Sequence, residues 1–338
     1  MEETRSLGEH MRRREFITLL GGAAAAWPLT AGAQQAGKVY RIGMLSGGAP
    51  IGPLDERRKS LLSNLALHGF VEGRNIVLEQ RWADAHLDRL GALAAELKAA
   101  KVDVIVTNGY PAAAAAKLSS KEIPIVITGA GDPVATGLVD GLARPGGNLT
   151  GVSEISTELS AKRLEILKDA VPNLRLVAML WNAADLGMTL RYRSAEDAAR
   201  VLGIKVQTLG VREPDDFEQA FAEMTRTRPD AILMVSDALT ILNRKRVVEF
   251  AAANRLPTIF EAGALVHEGG LMSYGPKQSA IAERVAEFIV RILGGARPAD
   301  LPLEQPTKFE FVINLKTAKA LGLDMPPTLL ARADEVIE

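Results

Sequence analysis

Cysteine is absent from the 338-residue chain. That rules out a disulfide, a thiolate nucleophile, a zinc–thiolate site and an iron–sulfur cluster. Histidine is scarce: His10, His68, His86 and His267 stand far apart and make no H-E-x-x-H or H-x-x-x-H pattern, so zinc has weak support. No G-x-S-x-G elbow and no G-x-x-x-x-G-K-[ST] phosphate loop occur. Charge of one sign is missing too. Forty Lys and Arg against 41 Asp and Glu leave a net charge of −1, without the basic footprint of a nucleic-acid binder. No apolar run reaches the roughly 20 residues of a membrane span.

What remains is an ordinary globular composition. Apolar residues make up 47% and charged residues 24%, a balance that folds rather than staying disordered. The length suits two α/β domains with well-buried cores.

The first 33 residues read as a leader rather than as fold. Arg12-Arg13-Arg14-Glu15-Phe16 precedes an apolar run, Ile17 to Leu29, and Ala31-Gly32-Ala33 closes it. Charged n-region, apolar h-region and A-x-A site define a secretory signal peptide. The Arg13-Arg14-x-Phe16 core is of the twin-arginine type. The signal reads naturally from Met11, and the exported chain is expected to start near Gln34, in the periplasm. An oxidising compartment also suits a chain without cysteine.

Beyond the leader, strands and helices alternate. The densest example is Asp103 to Pro133, where Val104–Val106 and Ile123–Ile127 are short β-branched runs separated by an alanine-rich helix. Strand, helix and strand make a right-handed crossover of parallel strands. Before it come a strand at Val39–Leu45, a helix to His68, a strand at Asn75–Trp82 and a helix at Leu87–Ala100. Gly141–Gly151 reads as a linker or hinge. The rhythm then restarts: strands at 174–181, 204–209, 231–235, 258–260, 270–273 and 308–314, with helices at 159–170, 190–202, 215–226, 278–293 and one running from Asp237 to about Asn254. The fold class is therefore α/β, with two Rossmann-like lobes on parallel-sheet cores facing each other across a cleft.

In open α/β sheets, ligands bind at the carboxyl ends of strands. Residues at or just after those ends are Ser46, Asn108, Gly109, Thr128, Asp132, Asn182, Ser236, Asp237, Glu261 and Tyr274, drawn from both halves. An amino-acid-like solute needs N–H or hydroxyl donors for its carboxylate and an acid for its ammonium, and Asp132, Asp237 and Glu261 are candidates for the acid. Trp181, Tyr110 and Tyr274 supply nearby rings. Each has a structural rival. Asp132 and Asp237 can be N-caps, Trp181 can be core, and Asn182 can close a turn. Gly129-Ala130-Gly131-Asp132-Pro133-Val134 begins like a dinucleotide fingerprint, but it lacks the third glycine and Pro133 interrupts it.

Several segments together resemble one family. They are Ile42-Gly43-Met44-Leu45, Ile123-Pro124-Ile125-Val126, Gly146-Gly147-Asn148-Leu149-Thr150-Gly151, Gly270-Leu271-Met272-Ser273-Tyr274-Gly275 and Phe311-Val312-Ile313-Asn314-Leu315-Lys316-Thr317-Ala318, behind the twin-arginine leader. The chain resembles the ABC-transporter substrate-binding proteins of the tryptophan- and tyrosine-binding type. The resemblance implies a periplasmic-binding-protein type I fold in which residues 38–150 and about 276–306 form one lobe. Residues 151–275 and about 307–338 would form the other. It also implies capture of a small polar solute, such as an amino acid or aromatic compound, by hinge closure and delivery to an inner-membrane permease. With the thin catalytic inventory, the reading is of a binding protein without cofactor, metal or catalysis. The alternative is an exported α/β enzyme that holds a nucleotide at Gly129–Val134. A sugar-responsive regulator of the same fold would carry a basic helix-turn-helix where this chain has its leader.

Overall fold

The structure is a computed structural model that describes residues 38–52, 55–153 and 156–338. The leader and its cleavage site lie outside the described residues. Among the described residues, no helix is long and apolar enough to cross a membrane.

Five strands form the first sheet. In chain order these are β1 (Tyr40–Ser46), α1 (Glu56–Leu67), β2 (Ile76–Trp82), α2 (Leu90–Ala99), β3 (Val104–Asn108), α3 (Tyr110–Ser119), β4 (Ile125–Thr128) and β5 (Leu149–Gly151). The sheet order is β2-β1-β3-β4-β5, all parallel. The β-branched runs of the inner strands β3 and β4 are buried on both faces, as parallel strands covered by helices are, while the edge strand β2 is half-exposed. Ala112, Ala113 and Ala116 bury the inner face of α3, and their small side chains let that helix approach the sheet closely.

The second half begins with α4 (Ser156–Ala170), β6 (Leu176–Asn182), α5 (Leu186–Val201), β7 (Lys205–Val211), α6 (Asp216–Thr227) and β8 (Ala231–Met234). It continues through α7 (Ala238–Leu242), α8 (Arg244–Ala253), β9 (Thr258–Phe260), α9 (Gly263–His267) and β10 (Met272–Pro276). Next come α10 (Gln278–Leu293), β11 (Phe309–Asn314), α11 (Leu315–Leu321), α12 (Pro327–Leu330) and β12 (Glu335–Ile337). The second sheet runs β12-β11-β10-β9-β8-β6-β7, with β10 and β11 antiparallel and the other pairs parallel.

Chain order and packing part company at α10. It follows a strand of the second sheet, yet Val285, Phe288 and Ile289 join the core of the first with Ile42, Leu65, Val104 and Val126. Burying a side chain of that size contributes roughly 1.5–3 kcal/mol, so this apolar stripe fixes where the helix lies. The chain therefore passes between the sheets three times, and the passages bond to one another. Ser153 N–H donates to Glu304 C=O at 2.8 Å, Glu304 N–H to Gly151 C=O at 2.9 Å, and Lys277 N–H to Lys308 C=O at 3.0 Å. The Arg284 fork holds the Glu304 carboxylate at 2.7 and 2.5 Å.

Three local expectations need correction, and three short elements lie outside the expectations. Residues 141–151 are not only a linker, because their end is β5, the outermost strand of the first sheet. Asn148 donates to the Ser120 and Ile123 carbonyls at 2.9 and 2.7 Å and so brings that strand in. The helix expected from Leu190 starts a turn earlier, at Leu186, because Asp185 caps it. The single helix expected after Asp237 is two, broken at Asn243, whose amide bonds back to the Leu239 carbonyl at 3.0 Å. Finally, α9, α12 and β12 are too short to leave a periodic signal in the sequence.

Candidate functional site

Alternation along the strands sorts the first edge. Side chains of a strand point to opposite faces with period two, so Ser46, Asn108 and Thr128 share a face with Met44, Val106 and Val126. That face carries α1 and α10. A cavity of about 110 Å³ opens there, with Ser46, Asn108 and Thr128 at its strand-end wall and Leu61, Trp82 and Ile281 among its apolar lining. It has room for several waters or one small organic group. Three residues selected from the sequence are thus brought together.

Arg57 and Arg58 of α1 also line the cavity. Arg57 is forked onto the helix-capping Asp55 at 3.0 and 2.8 Å, and Arg58 reaches both carboxylate oxygens of Glu72 at 2.7 Å. The Arg57 guanidinium holds the Asp55 carboxyl below its usual range. Sequence reasoning missed both arginines, since a charge run at a helix start reads as a solvated face.

On the second sheet, a group gathers at the ends of β6 and β8. Asn182, 1% exposed, donates from Nδ2 to Asp237 Oδ2 at 2.5 Å and accepts from Ala184 N–H at 2.9 Å. Asp237 caps α7, accepting from Thr240 N–H at 2.9 Å, while its own N–H donates to Thr240 Oγ1 at 2.9 Å. Asp185, absent from the sequence-based set, belongs to the same group. It is 3% exposed and caps α5 by accepting from Met188 N–H at 3.3 Å. Burial first, then the charge of Asp237, push the Asp185 carboxyl up to about 7. Burial also raises the Asp237 carboxyl, against the donors that hold it. Ser236, next in chain, has a buried hydroxyl without a hydrogen-bond partner among the described residues.

Glu261 and Tyr274 lie in a separate node. Glu261 accepts from Arg163 at 3.0 Å and pairs with Arg191, and all three side chains are buried. Arg163 also donates from Nε to the Tyr274 carbonyl at 2.7 Å. Glu261, expected as a free acid for an ammonium, is committed to two guanidiniums. The Tyr274 ring packs on Phe309 and Phe311, with centroids 6.1 and 6.3 Å away. Trp181 stacks on Tyr192 at 3.8 Å and is core.

Asp132 closes a turn, accepting from the N–H groups of Val134 and Ala135 at 3.0 Å each. Turns and not a helix follow the Gly129–Val134 loop, so the helix N-terminus that a dinucleotide fingerprint requires is missing there. Gly109, with φ 89°, turns the chain into α3.

The two edges meet. A methyl group on Gly187 of α5 would lie 3.1 Å from Tyr110 Cβ and 3.4 Å from the Ala130 carbonyl oxygen, both on the first-sheet side. One on Gly47 would lie 3.3 Å from Ala238 Cβ on the second. Two glycine-bearing edges of opposite sheets are in contact beside the Asp185–Asp237 group.

Comparison with known proteins places this architecture. The chain is 27% identical over 271 residues to a tyrosine-binding protein of Clostridioides difficile (strain R20291), covering 80% of this chain and 77% of that one. A Streptococcus pneumonia ABC domain in complex with L-Trp aligns with a TM-score of 0.82 and 26% identity, over 89% of this chain and all of that one. A ligand-free, open substrate-binding protein with adhesive properties from Clostridium difficile aligns at 0.62 and 27%, covering 89% and 99%. A periplasmic binding protein/LacI regulator from Alkaliphilus metalliredigens QYMF shares the type I fold at a TM-score of 0.54 and 13% identity, over 80% of this chain and 96% of that one. A family profile described as ABC transporter substrate binding protein matches residues 51–337, and the chain belongs to that family.

Proposed function

We propose that this protein is the periplasmic solute-binding component of an ABC import system. It captures a small amino acid or aromatic compound between its two halves by hinge closure and presents it to an inner-membrane permease. The observation that carries this reading is the contact of the two carboxyl edges through Gly187 and Gly47 beside a cavity lined by Ser46, Asn108 and Thr128. The similarities point the same way. At nearly equal identity, the chain superposes better on an L-Trp-bound relative than on a ligand-free open one, as a closed arrangement would.

In this reading the first edge supplies hydroxyl and amide groups above an apolar floor, a combination suited to a polar head on an apolar body. The second edge supplies Asn182, Ser236 and Asp237. Gly109 and Asp132 shape the loops around them, and Glu261 and Tyr274 act from the hinge side. The leader accounts for export.

The test is thermal unfolding of the chain from Gln34, refolded from denaturant to remove carried solute, against amino acids, aromatic acids, sugars and nucleotides. A solute at about 100 times its Kd stabilises the native state by roughly 2.7 kcal/mol. A shift with L-tryptophan, L-tyrosine or a related aromatic acid is expected. It should shrink in Asn108→Ala with the solute-free Tm unchanged. A shift with dinucleotides alone would overturn the reading.

A further inference from the structure

Asp185 stands where closure would be felt electrostatically. Its Oδ1 is 3.2 Å from the methyl position of Gly187, which in turn is 3.1 Å from Tyr110 Cβ across the seam. Asp185 is therefore buried one residue's width behind the contact between the two halves.

The charged and titratable groups around it are few. From the second-sheet half, Asp237 faces it at the start of α7, and Arg191 lies six residues on along α5, paired with Glu261. Across the seam, the titratable groups on the contacting loops are Tyr110 and Asp132. Donors are shared unequally. Asp237 accepts from the Asn182 amide and from Thr240 N–H, whereas Asp185 has backbone N–H groups of its own first turn. Two carboxylates that close in a buried site cannot both ionise cheaply, and the one with fewer donors keeps the proton.

We propose that closure of the two halves is coupled to uptake of one proton at Asp185, so that the protein closes more readily as the medium becomes acidic. This rests on the hinge-closure reading above. When the halves part, Asp185 gains water and its carboxyl falls toward the ordinary range near 4. The closed form then binds more protons than the open one between that range and about 7. The closing equilibrium accordingly strengthens by up to about tenfold per pH unit on acidification below 7 and levels off above it.

The chain has no cysteine, so a labelled pair can be introduced cleanly. Leu118→Cys on the first-sheet half and Val201→Cys on the second are both strongly exposed, at 88% and 87%. Spin or fluorophore labels there report the distance between halves in the chain from Gln34, from pH 5 to 8.5, with and without L-tryptophan or L-tyrosine. The expected result is a closed population that grows as pH falls. In Asp185→Asn, which retains the helix cap, the closed population should be independent of pH and high throughout. A pH response that persists in Asp185→Asn would overturn the proposal. So would a wild-type distance insensitive to pH that still responds to either amino acid, while hinge closure itself stands. A single distance at every pH and with every solute would overturn both readings.

Discussion

A side-chain carbon placed on Gly151 would fall 2.4 Å from the carbonyl oxygen of Ile127, and Gly151 holds a φ of 132° that other residues rarely adopt. At the end of β5, where the chain leaves the first sheet, the backbone runs against β4 with no room for a methyl group. Gly151→Ala is expected to destabilise the protein by more than about 2 kcal/mol, through strain and a displaced β5. Chemical denaturation with a two-state fit measures it. A loss under 0.5 kcal/mol would mean the passage can shift at little cost.

Gly187 offers the opposite case. It lies in the first turn of α5 with helical backbone, so a larger residue strains no backbone angle and is limited by Tyr110 and Ala130 across the seam and by the Asp185 carboxylate at 3.2 Å on its own side. Gly187→Leu should weaken binding of any closure-dependent solute at least tenfold and leave the solute-free Tm equal or slightly raised, since glycine is a poor helix former. Calorimetric titration alongside a melting curve separates the two effects.

The Arg163–Glu261–Arg191 node ties α4, α5, β9 and the carbonyl of Tyr274 at the edge of a passage between sheets. Removing the shared carboxylate leaves two buried guanidiniums without it, and breaking such a pair costs about 3–5 kcal/mol. Glu261→Gln is expected to lower stability by that order. If instead stability held and only solute affinity fell, Glu261 would act as a ligand-binding acid.

Asp185 also sets a pH dependence of folding. Its carboxyl is raised in the folded state, so the native form prefers the proton more than the unfolded chain does. This contribution is fully present below the unfolded value near 3.9 and is lost as pH rises to about 7. Asp185→Asn removes the loss. With the halves held closed by solute, its stability relative to wild type should grow between pH 4 and 7, then stay level. Parallel melts at pH 4, 5.5, 7 and 8.5 test the trend.

Much of this molecule is decided locally. β3 and β4 are short β-branched runs followed by glycine, the length and composition of buried parallel strands. α10 carries an apolar stripe at helical spacing, and its boundaries in the structure are those the periodicity predicts, Gln278 to Leu293. The ends of β1, β3 and β4 are legible for the same reason, so Ser46, Asn108 and Thr128 stand out from sequence, whereas β10 runs on to Pro276 and places Tyr274 in mid-strand instead of at the expected strand end.

Tertiary structure decided what depends on distance between segments remote in sequence. Periodicity says that α10 has a buried face but not which sheet receives it, and the structure assigns it to the first. Asp237 is a cap in sequence and structure alike, yet only the fold sets Asp185 and Asn182 beside it and raises its carboxyl. Glu261 follows an apolar strand and looks available. Its fate is fixed by Arg163 and Arg191, 98 and 70 residues earlier in the chain, because charge pairing acts through space and leaves no period in sequence.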